Sequence, residues 1–278
     1  GGYSFVYLVM DQFDRKQYAL KQIKIQLEEQ SNLIKSEIHA HKQVNSPYIL
    51  KLIDSQLIMS NGKPSQGLLL LPYYENGTIQ NLIEKSPHGL PMSQIAAFGI
   101  DICRGLAAFQ YFLFLNPSSC NPPLAYRDLK PANILISDEN TGVLMDLGSV
   151  SVARVKLNSR RESIALQEYC AETVTAPFRP PELFDPPSEG EVTEATDIWS
   201  LGCTLYAMAY GQSPFDGSMT AAVSCSISFP PQDNYSPHFR TLIQAILVSK
   251  PSSRPTLLQI ETILGKLASS NNFQNNNV

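Results

Sequence analysis

The stretch that most constrains this chain is Tyr126-Arg127-Asp128-Leu129-Lys130-Pro131-Ala132-Asn133, which runs directly into the apolar Ile134-Leu135-Ile136. It is a short polar loop carrying a carboxylate, an ammonium and an amide, and it ends in a strand rich in β-branched residues. Further on, Val143-Leu144-Met145 is a second short apolar strand, and it delivers Asp146-Leu147-Gly148. The intervening Ser137-Asp138-Glu139-Asn140-Thr141-Gly142 has turn chemistry, so the two strands are predicted to pair as a hairpin. That hairpin brings Asp128, Asn133 and Asp146 near one another, with Lys130 beside them. Hard oxygen donors of this kind suit Mg2+, which keeps several waters and takes few protein carboxylates alongside substrate phosphates.

The loop resembles the catalytic loop of eukaryotic protein kinases, H-R-D-x-K-x-x-N, and Asp146-Leu147-Gly148 resembles their D-F-G. An ordered match followed by a second motif at the family's spacing outweighs the reading as a merely polar loop. The resemblance implies an α+β, bilobal fold, with a small β-rich N-lobe carrying a helix C and a large, mainly helical C-lobe. It implies that Asp128 accepts the substrate hydroxyl proton, and that Asn133 and Asp146 hold Mg2+. Lys130, two residues after Asp128, resembles the serine/threonine kinases and would lie against the transferring phosphoryl group. Thr175 matches the threonine that bonds the catalytic aspartate and lysine. The expected cofactors are ATP and Mg2+, and the expected partners are proteins bearing Ser or Thr hydroxyls.

Composition limits the alternatives. The chain has 278 residues, 43% hydrophobic and 17% charged, with a formal net charge of −4 and a pI near 5.6. That balance argues against a nucleic-acid surface, which needs a basic patch. Cys103, Cys120, Cys170, Cys203 and Cys225 are odd in number and form no C-x-x-C pair, so they read as reduced thiols in a cytoplasmic chain. The apolar region from Ile95 to Leu115 is broken by Asp101, Arg104 and Gln110 and reads as a buried helix.

The kinase resemblance covers residues 1 to 268, with an N-lobe over 1–71, a hinge over 72–75 and a C-lobe over 76–268; the Asn-rich 269–278 reads as a disordered tail. Gly1, Gly2 and Ser4, followed by a strand containing Val6, resemble the second half of the glycine-rich loop that covers the phosphates. The first strand and first loop glycine are missing. Tyr18 to Ile23 resembles the family's V-A-I-K strand, in which Lys21 would hold the α- and β-phosphates while Ala19 and Val6 pack over adenine. Glu37, in a helix expected over Gln26 to Val44, is the best match for the glutamate that pairs with that lysine. His39 and His41 read as surface or boundary residues. Two strands are expected over Ile49 to Met59 and Gly67 to Tyr73. The second leads into a hinge in which Leu71 is the gatekeeper and the Pro72 carbonyl and Tyr74 amide meet adenine. The resemblance also places Leu135 at the nucleotide.

Ser93 is expected to cap a helix reaching Leu115. The following Asn116 to Pro123 exceeds the family's usual length and reads as a surface loop away from ATP, or as a retained intron. Tyr126 replaces the usual histidine and is expected to act by packing. Between Asp146 and Glu182 the segment is long, with helical composition over Ser163 to Glu172 and Ile164, Ala165, Tyr169 and Ala171 as packing positions. Phe178-Arg179-Pro180-Pro181-Glu182 resembles the end of a kinase activation segment. Arg127 is a candidate for pairing with a phosphorylated Ser or Thr in it. Asp197, in a helix from Thr196 to Tyr210, would hold the catalytic-loop backbone, and Arg254 would pair with Glu182.

Met145-Asp146-Leu147-Gly148-Ser149, Arg179-Pro180-Pro181-Glu182-Leu183-Phe184 and Leu69-Leu70-Leu71-Pro72 are similar to the Numb-associated kinase group, and most to its small Golgi-associated, lipid-anchored member. That likeness implies a role in membrane traffic. It also implies peripheral association, through an N-terminal anchor missing here, with the cytosolic face of Golgi, endosomal or vacuolar membranes. The competing reading is a pseudokinase-like scaffold. Such modules commonly lack the strand lysine, the catalytic aspartate or the metal aspartate, and this chain has all three.

Overall fold

The computed structural model describes residues 4–110 and 122–274, with side chains to 269. Gly1, Gly2, Cys120 and most of the expected surface loop lie outside the described residues. A four-stranded antiparallel sheet in the order β1-β2-β4-β3 forms the small lobe: β1 (Ser4–Met10), β2 (Gln17–Lys24), β3 (Asp54–Ser60) and β4 (Lys63–Pro72). Asn61 and Gly62 both have positive φ, 52° and 76°, the geometry that tightens the β3–β4 hairpin. The strand expected from Ile49 starts only at Asp54. The large lobe captures the residues before it: Ile49 bridges Leu144, and the Leu50 amide donates to the Leu144 carbonyl (2.8 Å).

Helix α1 (Glu28–Gln43) packs on this sheet with Ile34, Glu37, Ala40 and His41 buried. A Cβ on Gly67 would come within 2.9 Å of Ile34, so a side chain there would push the helix off β4. His41 is buried, contrary to the surface or boundary reading, and its Nδ1 lies 3.0 Å from the Leu50 carbonyl. A carbonyl only accepts, so Nδ1 carries the proton.

The large lobe starts with α2 (Ile79–Glu84), whose cap Thr78 accepts from the Asn81 amide, and α3 (Met92–Gln110). Ser93 is inside α3 and not at its cap. β5 (Leu124–Ala125) pairs with β8 (Ser151–Val152), and β6 (Ile134–Ile136) with β7 (Gly142–Leu144). Helices α4 (Arg160–Thr173), α5 (Pro181–Phe184), α6 (Ala195–Tyr210), α7 (Met219–Ser224), α8 (Pro237–Ile246) and α9 (Leu257–Gln274) follow. Helical backbone thus enters the stretch expected to be a tail. Every residue of α6 from Thr196 to Ala209 is buried, which makes it the axis of the lobe. Trp199 stacks on Phe215 at 5.0 Å, and the Arg254 guanidinium lies over its ring. No described helix is long and apolar enough to cross a membrane.

The segment between Asp146 and Glu182 has its own small core. β9 (Val155–Leu157) pairs with β10 (Gly190–Val192), and α4 lies between them in sequence. Leu157, Cys170, Val174, Leu183 and Val192 form one buried cluster, with Leu166 against it. The inward face of α4 is therefore Ser163, Leu166 and Cys170. Ile164, Ala165, Tyr169 and Ala171, expected to pack, are exposed. The Ser163 hydroxyl donates to the Pro186 carbonyl (2.6 Å) and fixes this rotation.

Candidate active site

The β6–β7 hairpin sets the geometry. Its register pairs Ile134 with Leu144, and the Met145 amide donates to the Asn133 carbonyl (2.9 Å), so Asn133 and Asp146 emerge side by side. Asp128 reaches them on a loop whose backbone is pinned from below. The buried Asp197 accepts from the Tyr126 amide (2.8 Å) and the Arg127 amide (2.9 Å). Burial raises the Asp197 pKa, against the pull of Arg127 and the two amides. Arg127 and Asp146 both sit at positive φ, 71° and 57°, a region non-glycine residues enter only when surroundings force them.

The Asp128 carboxylate is fully occupied. Thr175 donates its amide (2.9 Å) and hydroxyl (2.6 Å) to Oδ1, while Lys130 Nζ (2.8 Å) and Asn133 Nδ2 (3.0 Å) donate to Oδ2. Lys130 also donates to Thr175 Oγ1 at 2.5 Å. Asn133 uses Nδ2 a second time on the Asp128 carbonyl (2.8 Å), and its Oδ1 has no hydrogen-bond donor among the described residues. The donor set therefore fits Mg2+: one amide oxygen and the half-exposed Asp146 carboxylate. No cluster of three or more His, Cys, Asp or Glu suited to a metal exists among the described residues.

Lys21 links the lobes. Its ammonium donates to Glu37 Oε1 (2.7 Å) and Asp146 Oδ1 (2.9 Å). Burial works against the charge on Lys21, but the two carboxylates outweigh it and raise its pKa. Burial likewise favours a protonated Asp146, and Lys21 overrides it to hold the carboxyl below its ordinary value. For Glu37, burial prevails over Lys21 and raises the pKa. Sheet register puts Val6 opposite Lys21 and Ala19 opposite Leu71, so all four share one face. Ala19, Leu71, Tyr74 and Leu135 belong to one apolar cluster; Val6 is 66% exposed and Ser4 begins the exposed β1. Pro72 ends β4 opposite Tyr18, and the Tyr74 amide has no partner among the described residues.

Two expectations are corrected here. Arg127 cannot readily take a phosphate, because its donors are already spent. Nε reaches Ser151 Oγ (3.4 Å), Nη1 the Thr193 carbonyl (3.2 Å) and Thr196 Oγ1 (2.7 Å), and Nη2 the carbonyls of Val152 (3.1 Å) and Ala153 (2.8 Å). Tyr126 does more than pack: its hydroxyl donates to the Met145 carbonyl, immediately before Asp146, and lies 3.5 Å from the Asn133 carbonyl. Ser151, Thr193 and Thr196 carry no sequence signal for this role. The Tyr126 hydroxyl was a readable clue, since a buried tyrosine normally finds a partner for its polar end.

Two lobes joined through a Lys–Glu–Asp contact, over a loop that presents Asp, Lys and Asn to one cleft, define a phosphoryl-transfer fold. The protein kinase domain matches residues 1–264, and the chain belongs to the protein kinase family. Among its relatives, human serine/threonine-protein kinase 16 is 36% identical over 92% of this chain and 83% of its own length. A probable serine/threonine-protein kinase of Dictyostelium discoideum is 33% identical over 87% of this chain and 85% of its own. Serine/threonine-protein kinase ppk13 of Schizosaccharomyces pombe is 30% identical over 94% and 86%.

Proposed function

We propose that this chain is a serine/threonine-protein kinase that transfers the γ-phosphoryl group of ATP to Ser or Thr hydroxyls of proteins. The observation that carries this is the arrangement of Thr175 and Lys130 on the two oxygens of Asp128, next to an Asn133 oxygen left free for a cation. Asp128 is the acceptor for the substrate hydroxyl proton. A carboxylate accepts about four hydrogen bonds and Asp128 already has four, so an incoming hydroxyl takes the place of one donor. Lys130, whose side chain is 23% exposed, is the donor free to turn toward the phosphoryl group. Lys21, released from Asp146, holds the nucleotide's phosphates while Glu37 keeps it in place. Asn133 and Asp146 would hold Mg2+, which when bound neutralises charge on the phosphate oxygens. The adenine lies among Ala19, Leu71 and Leu135, with the Pro72 carbonyl and Tyr74 amide at its edge and Ser4 and Val6 above.

ADP release with a Ser/Thr peptide, compared between wild type and Asp128→Asn, tests this. The variant should lose at least about 10²-fold in kcat, the scale for removing a group essential in the transition state. Equal rates would favour the scaffold reading. The likeness of Met145 to Ser149 to the Numb-associated kinase group supports a further part of the proposal, action in membrane traffic at the cytosolic face of Golgi, endosomal or vacuolar membranes. Fractionation of the tagged full-length protein tests that part, and a wholly soluble distribution would end it.

A further inference from the structure

Ser149 and Arg179 have no part in the chemistry above, yet both side chains end on the same short piece of backbone. Helix α4 stops at Thr173 with no glycine behind it, and Val174 is extended, with φ −112° and ψ 127°. The last carbonyls of a helix have no partner within it, and a left-handed glycine commonly supplies the remedy. Here side chains supply it from outside. The Ser149 hydroxyl donates to the Thr173 carbonyl (3.0 Å). Arg179 Nη2 donates to the carbonyls of Val174 (2.5 Å) and Ala171 (3.4 Å).

Both anchors are themselves fixed. Ser149 closes the single turn Leu147–Ser149, whose cap is Asp146, and the Val150 amide donates to the Leu147 carbonyl (3.2 Å). Arg179 is buried, with its guanidinium 4.8 Å over the Phe184 ring and its amide on the Ala176 carbonyl (3.1 Å). One residue beyond Val174, Thr175 gives its amide and hydroxyl to Asp128 Oδ1. A path of neighbouring groups thus runs from the turn that carries Asp146, through Ser149 and the end of α4, to the proton acceptor. No hydrogen bond joins the Ser149 or Arg179 side chain to Asp128, Lys130 or Asn133 among the described residues. The Asp128 carboxylate does feel the Arg179 charge, so Ser149 is the cleaner probe of the path.

We propose that Ser149 and Arg179 are positioning residues: they hold the end of α4 so that Thr175 stays seated on Asp128, and Ser149 ties that seat to the turn bearing Asp146. The proposal rests on the kinase reading, in which Asp128 must be aimed at the acceptor hydroxyl. Without the Ser149 hydroxyl the Thr173 carbonyl is released, and the peptide planes leading to Thr175 can turn. A displacement of about 1 Å in a positioned group can cost about 10²-fold in rate, so losing one anchor of two should cost about tenfold.

The test compares Ser149→Ala, Ser149→Thr, Thr175→Ala and the Ser149→Ala/Thr175→Ala double variant with the wild type, using ATP and a Ser/Thr peptide. Ser149→Ala should lose about tenfold in kcat, with KM for ATP and for peptide within about twofold, the split expected for a group that acts in the transition state. Ser149→Thr, which keeps the hydroxyl, should recover most of the loss. In the double variant the serine change should cost nothing further, since the group it acts through is gone, whereas independent sites would multiply. Arg179→Met should act like Ser149→Ala, and Arg179→Lys, which keeps one donor, should recover part. Read without turnover, hydrogen exchange by mass spectrometry should quicken about tenfold over 171–178 in Ser149→Ala and stay at the wild-type rate in α6. Wild-type kcat or wild-type exchange in Ser149→Ala, or a full multiplicative loss in the double variant, would overturn the proposal. A wild-type enzyme that does not turn over would refute the kinase reading instead, and exchange over 171–178 would still decide whether Ser149 holds Thr175.

Discussion

The phenolic hydroxyl of Tyr126 donates to the main-chain carbonyl of Met145, so the catalytic loop holds the backbone that aims Asp146. Tyr126 is fully buried and Met145 half-buried, and an unmet buried carbonyl costs about 1–3 kcal/mol. Tyr126→Phe should therefore loosen the metal-binding end of the hairpin. The apparent Mg2+ requirement of the reaction should rise about tenfold, the range for losing an outer-shell partner, while KM for the acceptor peptide holds. Tyr126→His, which can still donate, should recover most of the loss. A Mg2+ titration indistinguishable from wild type would reduce Tyr126 to a packing residue.

Arg127 leads to a statement about activation. With five contacts to Ser151, Thr193, Thr196, Val152 and Ala153, its guanidinium closes the segment without phosphate. Phosphatase-treated enzyme should keep its rate within about twofold. Arg127→Lys, which cannot reproduce the planar fork, should lose activity and protease resistance of residues 150–195 together. A large rate drop on dephosphorylation would show that a phosphate does displace these contacts.

Glu182 and Arg254 form a two-pronged pair at 2.6 and 2.8 Å, with the arginine side chain 1% exposed. Removing one partner strands the other in the core. Glu182→Ala should cost about 3–5 kcal/mol of stability in denaturant unfolding. Substituting both partners with apolar residues should cost less than either single change.

His41 gives a pH dependence. Burial is the main cause that lowers its pKa from 6.5 to about 4, the Lys21 ammonium adding to it against the Leu50 hydrogen bond. The unfolded chain takes up the proton near its ordinary value and the folded chain does not, so stability falls as pH drops from 6.5 to 4 and then levels. His41 contributes a loss of up to about 3 kcal/mol over that window. His41→Gln keeps a donor for the Leu50 carbonyl but does not titrate. Melting curves of the variant should flatten relative to wild type in this range.

Much of the site was legible because sequence-local motifs fix it. Asp128, Lys130 and Asn133 lie within one loop, and a hairpin of known register can bring Asp146 only to Asn133. The pairing of Lys21 with Glu37 was implied by the resemblance to the kinase family and not by the strand and helix alone. Elsewhere the decisive partner was remote. The rotation of α4 depends on Ser163 finding the Pro186 carbonyl, and apolar spacing alone favoured Ile164 and Tyr169. The late start of β3 depends on Leu50 bonding Leu144 in the other lobe. Arg127 illustrates the same limit, since three main-chain carbonyls from two segments take most of its donors and a carbonyl leaves no trace in composition.

The ribbon of β9 and β10 has one more implication. The loop it closes is long, yet it has no slack: α4 ends at Thr173, and Thr175 already touches Asp128. A residue added within α4 would turn its inward face by about 100° and drag that threonine with it. Natural variation in loop length should therefore gather at 186–189, beyond the helix, and avoid 160–175. A segment that looks disposable in the chain is, in the folded molecule, a gauge block that sets the depth of the cleft.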